Sequence, residues 1–163
     1  MAGTDMTRHY TVQHGNYEIS CDPARIDVDA VEQFLRASYW APERSRAKIE
    51  RSIQTSIVFG VYEDAHQIGF ARVVTDKADF AWLCDVYLDA AVRARGIGKW
   101  LLKTVLAHPD LQGLKRWLLA TRDAHGLYQQ FGFVPLADPN RWMERSSSQL
   151  HKDGGSHEGQ SLK

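Results

Sequence analysis

One segment of the chain, residues 80–106, changes from a strand pattern to a helix pattern across a short loop. Phe80 to Leu88 is a long apolar run with β-branched and aromatic residues, which is typical of a strand. Ile97, Trp100, Leu101 and Val105 then fall on one face of a helix. A chain built in this way places a helix directly after a long strand. The segment therefore predicts a sheet with at least one helical crossover.

The other segments predict an α+β domain around that unit. Three consecutive strands with short turns indicate an antiparallel meander, and a further strand follows the helix. The predicted fold is a mixed, mostly antiparallel central sheet of six to seven strands flanked by about four helices. Residues 1–145 are expected to form one domain, and residues 146–163 are too polar to order themselves. The strands are predicted at 17–21, 57–62, 67–75, 80–88, 116–121 and 133–136, with 142–143 as an extension, and the helices at 27–41, 43–51, 97–107 and 124–131.

Composition and charge exclude several functional classes of protein. The 163 residues carry 20 Lys and Arg against 20 Asp and Glu, so the formal net charge is zero. This balance argues against a protein that holds nucleic acid or a membrane by bulk electrostatics. No apolar run approaches a membrane span, and residues 1–10 do not resemble a secretory signal. Cys21 and Cys84 are too far apart in sequence for a metal cluster, so we expect free thiols, no metal and a cytoplasmic protein.

The loop between the long strand and its helix has the features of an anion site. Gly96 and Gly98 lie where the helix should begin, and glycine lets a ligand approach the backbone closely. The first amides of a helix have no partner within it and attract anions. Arg93, Arg95 and Lys99 add positive charge to the same loop. The spacing is neither that of a Walker loop nor that of a dinucleotide-binding loop.

Two motifs in this half of the chain resemble those of the GNAT superfamily of acyl-CoA-dependent N-acyltransferases. Arg93-x-x-Gly96-x-Gly98, after Val86-Tyr87-Leu88, is similar to the superfamily's motif A. Thr121-x-x-Ala124-x-x-x-Tyr128-x-x-x-Gly132-Phe133 is similar to its motif B, which usually begins with Asn. The resemblance covers roughly residues 57–142, and the segments 38–40 and 69–76 resemble an uncharacterised bacterial subgroup.

The resemblance implies acetyl-CoA as the cofactor. The end of the long strand would meet the pantetheine arm, and the loop after it would bind the pyrophosphate. Thr121, in place of Asn, keeps a hydroxyl but loses a donor or an acceptor for the pantetheine amide. Dimers are common in the family, which leaves a homodimer open. The implied cofactor-binding residues are Val86, Tyr87, Leu88, Arg93, Ala94, Arg95, Gly96, Ile97, Gly98, Lys99, Thr121, Ala124 and Tyr128.

Two residues are candidates for proton transfer. By resemblance, Tyr128 would protonate the leaving thiolate, and the alternative is a tyrosine packed in its helix. Asp85 is the one charged residue of the long strand, and alternation puts it on one face with Leu83 and Tyr87. Desolvation would raise its pKa toward the range of a general base. The alternative is a structural carboxylate paired with an arginine such as Arg72.

The acceptor would lie between the first helices and the strand–turn elements, as the resemblance implies. This region contains Tyr39, Trp40, Arg72 and Asp76. The two aromatic rings could line the binding site of an apolar or cationic substrate, or they could anchor the end of the helix in the core. The predicted activity is transfer of an acetyl group to a primary amine of a small molecule or peptide, by direct attack in a ternary complex. The alternatives are a non-catalytic acyl-CoA sensor and an enzyme that binds nucleotide phosphates.

Overall fold

Six strands form one sheet in a computed structural model that describes residues 9–147 of the chain. The strands lie in chain order across the sheet, each antiparallel to the one before except the last, which is parallel to its neighbour. The strands are β1 Thr11–His14, β2 Tyr17–Ser20, β3 Ile57–Glu63, β4 His66–Thr75, β5 Phe80–Leu88 and β6 Arg116–Leu118. The helices are α1 Val28–Ala37, α2 Arg46–Gln54, α3 Ile97–Leu106 and α4 His125–Gln129. The α+β class with a mixed, mostly antiparallel sheet is confirmed.

Two helices cover one face of the sheet. The carboxylate of Asp27 accepts a hydrogen bond from the amide of Ala30 at 3.1 Å, so α1 begins with the N-cap that its sequence predicts. Helices α1 and α2 pack on Val58 of β3 and Phe70 of β4 in a continuous apolar cluster. Each fully buried side chain of this size stabilises the fold by about 1.5–3 kcal/mol.

Helix α3 lies on the opposite face. Its side chains Leu101, Leu102 and Val105 are fully buried. Phe59, which alternation directs away from Val58, lies edge-on to His108 just beyond the end of α3. The sheet is therefore covered on both faces, and the β5–α3 loop connects the sheet to the helix on the second face.

The end of the chain differs from its prediction. The chain divides into two compact units, residues 1–127 and 128–163, and the whole sheet belongs to the first. The strands predicted at 133–136 and 142–143 are wrong, since neither segment is a strand. Pro135 has no amide to donate to a ladder, and Val134 and Met143 are 79% and 97% exposed, so neither gains burial from a sheet. Residues 148–163 of the predicted tail lie outside the described residues, and the domain limit at 145 stays a prediction.

Several element bounds also differ. Strand β1 was not predicted, because its side chains are mostly exposed and it gains its place through backbone pairing with β2. Helix α2 begins at Arg46 rather than at residue 43, after Ser45 accepts a hydrogen bond from the amide of Lys48. Strand β6 and helix α4 are shorter than predicted. Within residues 9–147, no helix is long and apolar enough to cross a membrane.

Candidate functional site

The loop before α3 presents unpaired backbone amides. Ala94 and Gly96 have φ values of +63° and +80°, and the first backbone bond into the helix runs from the Trp100 amide to the Gly96 carbonyl at 3.0 Å. The amides of Gly98 and Lys99 have no acceptor in the described part of the chain. No acidic residue occupies the first turn. The N-terminus of α3 is therefore open to an anion, as its sequence predicts.

Three exposed cations, Arg93, Arg95 and Lys99, belong to the same loop. The Nε of Arg93 donates to the Leu88 carbonyl at 3.0 Å, which fixes the side chain and leaves its terminal nitrogens available. Arg95 donates to the hydroxyl of Tyr17 at 3.3 Å. Lys99 makes no ion pair within residues 9–147. The loop thus combines oriented amides with positive side chains, and we call residues 93–99 the anion loop.

One edge of β5 is free beside the anion loop. Strand β6 pairs with β5 only from Phe80 to Trp82, so the rest of β5 has no strand partner on that side within the described residues. Val86, Tyr87 and Leu88 lie along this free edge and are half-buried. Unpaired strand edges offer backbone donors and acceptors to an extended ligand. The edge leads directly into the anion loop.

A β-bulge in β5 separates this edge from the rest of the strand. Phe70 pairs with Tyr87 and Arg72 pairs with Cys84, so one residue of β4 faces two residues of β5, Asp85 and Val86. Asp85 has a φ of +53°, a conformation that aspartate tolerates better than most residues. Because the bulge interrupts the alternation, sequence periodicity could not locate the side chain of Asp85.

The bulge directs Asp85 toward α1 and α2. Its side chain contacts Arg72, which pairs with Cys84, whereas Leu83 pairs with Val73 and faces the opposite side. The prediction that Asp85 shares a face with Leu83 is therefore wrong. Tyr87 does lie on the α1–α2 face, where its ring stacks on Phe34 at 3.8 Å.

Asp85 is held by three donors, and we call these four residues the Asp85 cluster. Arg44 and Arg72 donate to its Oδ2 at 2.5 and 2.8 Å, and the Trp40 indole donates to its Oδ1 at 3.3 Å. Burial pulls its pKa upward, but the hydrogen bonds and charges of the two arginines outweigh burial and lower the pKa below its usual range. The expected rise in pKa is wrong, and the pairing of Asp85 with Arg72 is observed.

Arg44 was missed by sequence reasoning. It lies 41 residues before Asp85 in a charged segment that resembles an exposed helix, and no local pattern distinguishes it from its neighbours. Ser56, which accepts from Arg72 at 3.1 Å, was missed for the same reason. The bulge brings both arginines to one carboxylate, and only the folded chain shows this contact.

Tyr39 and its neighbour Trp40, which belongs to the Asp85 cluster, lie at the surface. They are 45% and 43% exposed, and their rings meet edge to face at 5.1 Å. The hydroxyl of Tyr39 accepts from the Arg122 amide at 2.9 Å, and the Arg122 guanidinium lies 3.9 Å from the ring centroid. The alternative that these rings anchor the helix end in the core does not fit their exposure.

Asp76 lies apart from that cluster. It occupies the β4–β5 turn, four residues beyond Arg72, which is about 13 Å along a strand. Hydrogen bonds from the amides of Asp79, Ala78 and Phe80 lower the pKa of Asp76 to about 2. The structure shows a turn-stabilising contact, and a role in acceptor binding stays a prediction.

Thr121 and Ala124 of motif B precede α4, Tyr128 lies within it, and Gly132 and Phe133 follow it. The hydroxyl of Thr121 accepts a hydrogen bond from the Ala124 amide at 3.1 Å, so it still has its own proton to donate. Tyr128 is buried, and its ring meets Phe133 edge to face at 5.9 Å. A catalytic role for Tyr128 stays a prediction.

Metal chemistry finds no support in the described residues. No group of three or more His, Cys, Asp or Glu side chains within residues 9–147 could hold a metal ion. Cys21 and Cys84 are free thiols, and burial raises their pKa to about 12 and about 11. The candidate site in the described residues comprises the anion loop, the free edge of β5 and the Asp85 cluster.

Comparison with known proteins identifies the family. The model of the acetyltransferase (GNAT) domain matches residues 54–135. A Gibberella zeae protein that carries the name of an acetyltransferase is 29% identical over 76% of this chain and 82% of its own. A Xanthomonas campestris pv. campestris structure assigned to the GNAT acetyltransferases is 41% identical, with a TM-score of 0.79 over 86% of this chain and 98% of its own.

A more distant structure shares the fold. It comes from Clostridium acetobutylicum and is named as an acetyltransferase with acetyl-CoA; it is 13% identical, with a TM-score of 0.61 over 83% of this chain and 98% of its own. The family model covers the anion loop and the bulged strand β5. The two motifs and the strand order indicate the same family. The chain therefore belongs to the GNAT acetyltransferase family.

Proposed function

We propose that this protein transfers an acetyl group from acetyl-CoA to a primary amine of a small molecule or peptide. The anion loop carries the proposal, because it offers free amides and three cations to a pyrophosphate. Charge-assisted hydrogen bonds of this kind contribute about 1.5–3 kcal/mol each. The structure named with acetyl-CoA shares this fold, which supports the choice of ligand.

The free edge of β5 fits the arm of that cofactor. Pantetheine carries two amides, and an unpaired strand edge presents amides and carbonyls in the alternation that such a group can match. Val86 and Leu88 would contact the arm, and the Thr121 hydroxyl retains a proton with which to bond it. When bound, acetyl-CoA would supply an activated acetyl thioester.

The residues of the chain would then assist direct attack in a ternary complex. The bulge removes Val86 from the regular ladder, so its amide is the candidate donor to the carbonyl oxygen as negative charge develops there. Tyr128 would donate its phenolic proton to the departing sulfur, and this role rests on the resemblance to motif B.

The amine proton would pass to water. A primary alkylamine with a pKa of about 10.4 costs about 4.6 kcal/mol to deprotonate at pH 7. Asp85 is poorly suited to accept that proton, because two guanidinium groups stabilise its charged form. We therefore assign Asp85 the positioning of Arg44 and Arg72 rather than the role of a base.

The test follows release of free thiol from acetyl-CoA with a panel of amines. We expect release that depends on the amine, and a lower affinity for coenzyme A in calorimetry when Arg93→Gln removes one loop cation. Arg51→Gln is the matched control, because Arg51 is exposed on α2 and makes no ion pair in the described chain. Tyr128→Phe should lower kcat by a larger factor than it weakens the binding of coenzyme A.

Three results would redirect the proposal. Binding of coenzyme A without thiol release for any amine would favour a sensor. Binding of ATP or NAD with no response to coenzyme A would favour a nucleotide-phosphate enzyme. An unchanged kcat in Tyr128→Phe would remove that residue from the mechanism.

A further inference from the structure

The acidic side chain of the Asp85 cluster is already neutralised by its partners. Asp85 has a 2% exposed side chain, and its two oxygens accept from Arg44, Arg72 and Trp40. A substrate ammonium group would have to displace one of these donors to reach it. The site therefore offers no free carboxylate at this point, although the sequence suggested one.

The local charge balance is positive. Asp85 is the one acid within ion-pair distance of Arg44 or Arg72 in the described residues, so these three side chains sum to about one positive charge. Nearby Arg122 approaches Asp123 at 3.9 Å, and both side chains are about two-thirds exposed, so this pair adds little net charge. The excess charge belongs to Arg44 and Arg72, the two arginines that contact Asp85.

Arg44 retains donors and access to solvent. Its side chain is 23% exposed, and one nitrogen of its guanidinium contacts Asp85. The side chain of Arg72 is more buried, with 13% of its surface exposed, and two of its nitrogens donate hydrogen bonds to Asp85 and Ser56. A guanidinium group matches a carboxylate with two parallel hydrogen bonds, so Arg44 is the available half of such a pair.

Exposed aromatic surface lies beside that guanidinium. The Trp40 indole nitrogen is used by Asp85, which fixes the ring, and the ring itself is 43% exposed. The Tyr39 ring meets it edge to face and is held through its hydroxyl. Rigid rings of this kind suit an apolar or aromatic substituent.

From this combination we infer that the acceptor is an amino acid with an apolar or aromatic side chain, whose carboxylate binds Arg44 while its amine is acetylated. This inference rests on the proposed function and names the substrate class of the same site. A polyamine is disfavoured, because its additional positive charges would meet the two arginines. The Asp85 cluster would thus select the acceptor by charge.

The test compares phenylalanine with phenylalaninamide, which lacks the negative charge. We expect Arg44→Gln to lower the ratio of their kcat/KM values at least tenfold, chiefly by raising the KM for phenylalanine. The amines of phenylalanine and phenylalaninamide differ in intrinsic reactivity. This difference cancels when the ratio for Arg44→Gln is compared with the ratio for the parent protein. Arg51→Gln should leave the ratio unchanged, because it removes an equal charge from the exposed surface of α2.

Binding by calorimetry with coenzyme A present separates the two proposals. Weaker binding of phenylalanine to Arg44→Gln than to the parent protein, with phenylalaninamide unaffected, would support the charge-based selection even if turnover failed. Spermidine preferred over phenylalanine by the parent protein would overturn the inference and leave acetyl transfer intact. An equal loss for both phenylalanine compounds in Arg44→Gln would overturn it as well.

Discussion

The most informative perturbation is Asp85→Asn. It preserves the size of the side chain, and asparagine also tolerates the left-handed backbone at φ +53°, so the bulge itself gains no strain. The substitution removes the negative charge that Arg44 and Arg72 share. The measured effect therefore reports the ionic contacts rather than the backbone.

The magnitude follows from the burial of the three side chains. Breaking a buried ion pair by removing one partner costs about 3–5 kcal/mol. Arg44 and Arg72 keep 23% and 13% of their side-chain surface exposed, so water compensates part of the loss. We therefore expect the lower end, about 3 kcal/mol, which corresponds to a fall in Tm of about 6–12 °C for a chain of this size.

The effect should depend on pH in one direction. The pKa of Asp85 is lowered in the folded protein, so its stabilisation is fully present above the unfolded value of about 3.9 and is lost as the pH falls through the folded value. The difference between parent and variant should be constant from about pH 5 to 8 and shrink only below about pH 4.

Urea denaturation across this pH range measures the free energy of unfolding. Asp110→Asn is the control, because Asp110 forms an ion pair with Lys77 that is about half exposed and is expected to contribute about 1 kcal/mol or less. Two results would contradict the assignment of this stability to the ion pairs of Asp85. One is a loss of unfolding free energy in Asp85→Asn no larger than that in Asp110→Asn, and the other is a loss that stays unchanged down to pH 3.

Three further substitutions or probes test other parts of the structure. Gly96→Ala forces a left-handed φ of +80° on alanine and should destabilise by about 1–2 kcal/mol while weakening coenzyme A binding in calorimetry; Gly126→Ala, in an open helical position, should do neither, and equal effects would contradict the assignment of the anion loop. Gly69→Ala would place Cβ 2.6 Å from Leu88 Cδ2, so thermal denaturation should show a loss of about 1–3 kcal/mol in the free energy of unfolding. An unchanged Tm would mean that β4 and β5 shift to accommodate the methyl group without cost. Burial raises the pKa of Cys84 to about 11, so a thiol reagent at pH 8 should react far more slowly with the native protein than with the protein in urea; equal rates would show an accessible thiolate.

Local sequence was sufficient for the anion loop and for most of the elements. Gly96 begins α3 in the left-handed conformation, and Asp27 caps α1. These features depend on residues a few positions apart, so their patterns carry the information. Strand β1 was not predicted, and the strand predicted at 133–136 is absent, because strand formation depends on a pairing partner that the local sequence does not identify.

Local patterns were enough to place most helices and strands and the glycines of the anion loop, because backbone conformation and helix periodicity are local properties. The two motifs were enough to indicate the family. Only the tertiary structure decided the state of Asp85. A one-residue bulge reversed its face, and Arg44, distant in sequence, lowered the pKa that burial alone would raise. Charge partners act through space, so a carboxylate that the sequence offered to a cationic substrate became, in the folded chain, the anchor of two arginines.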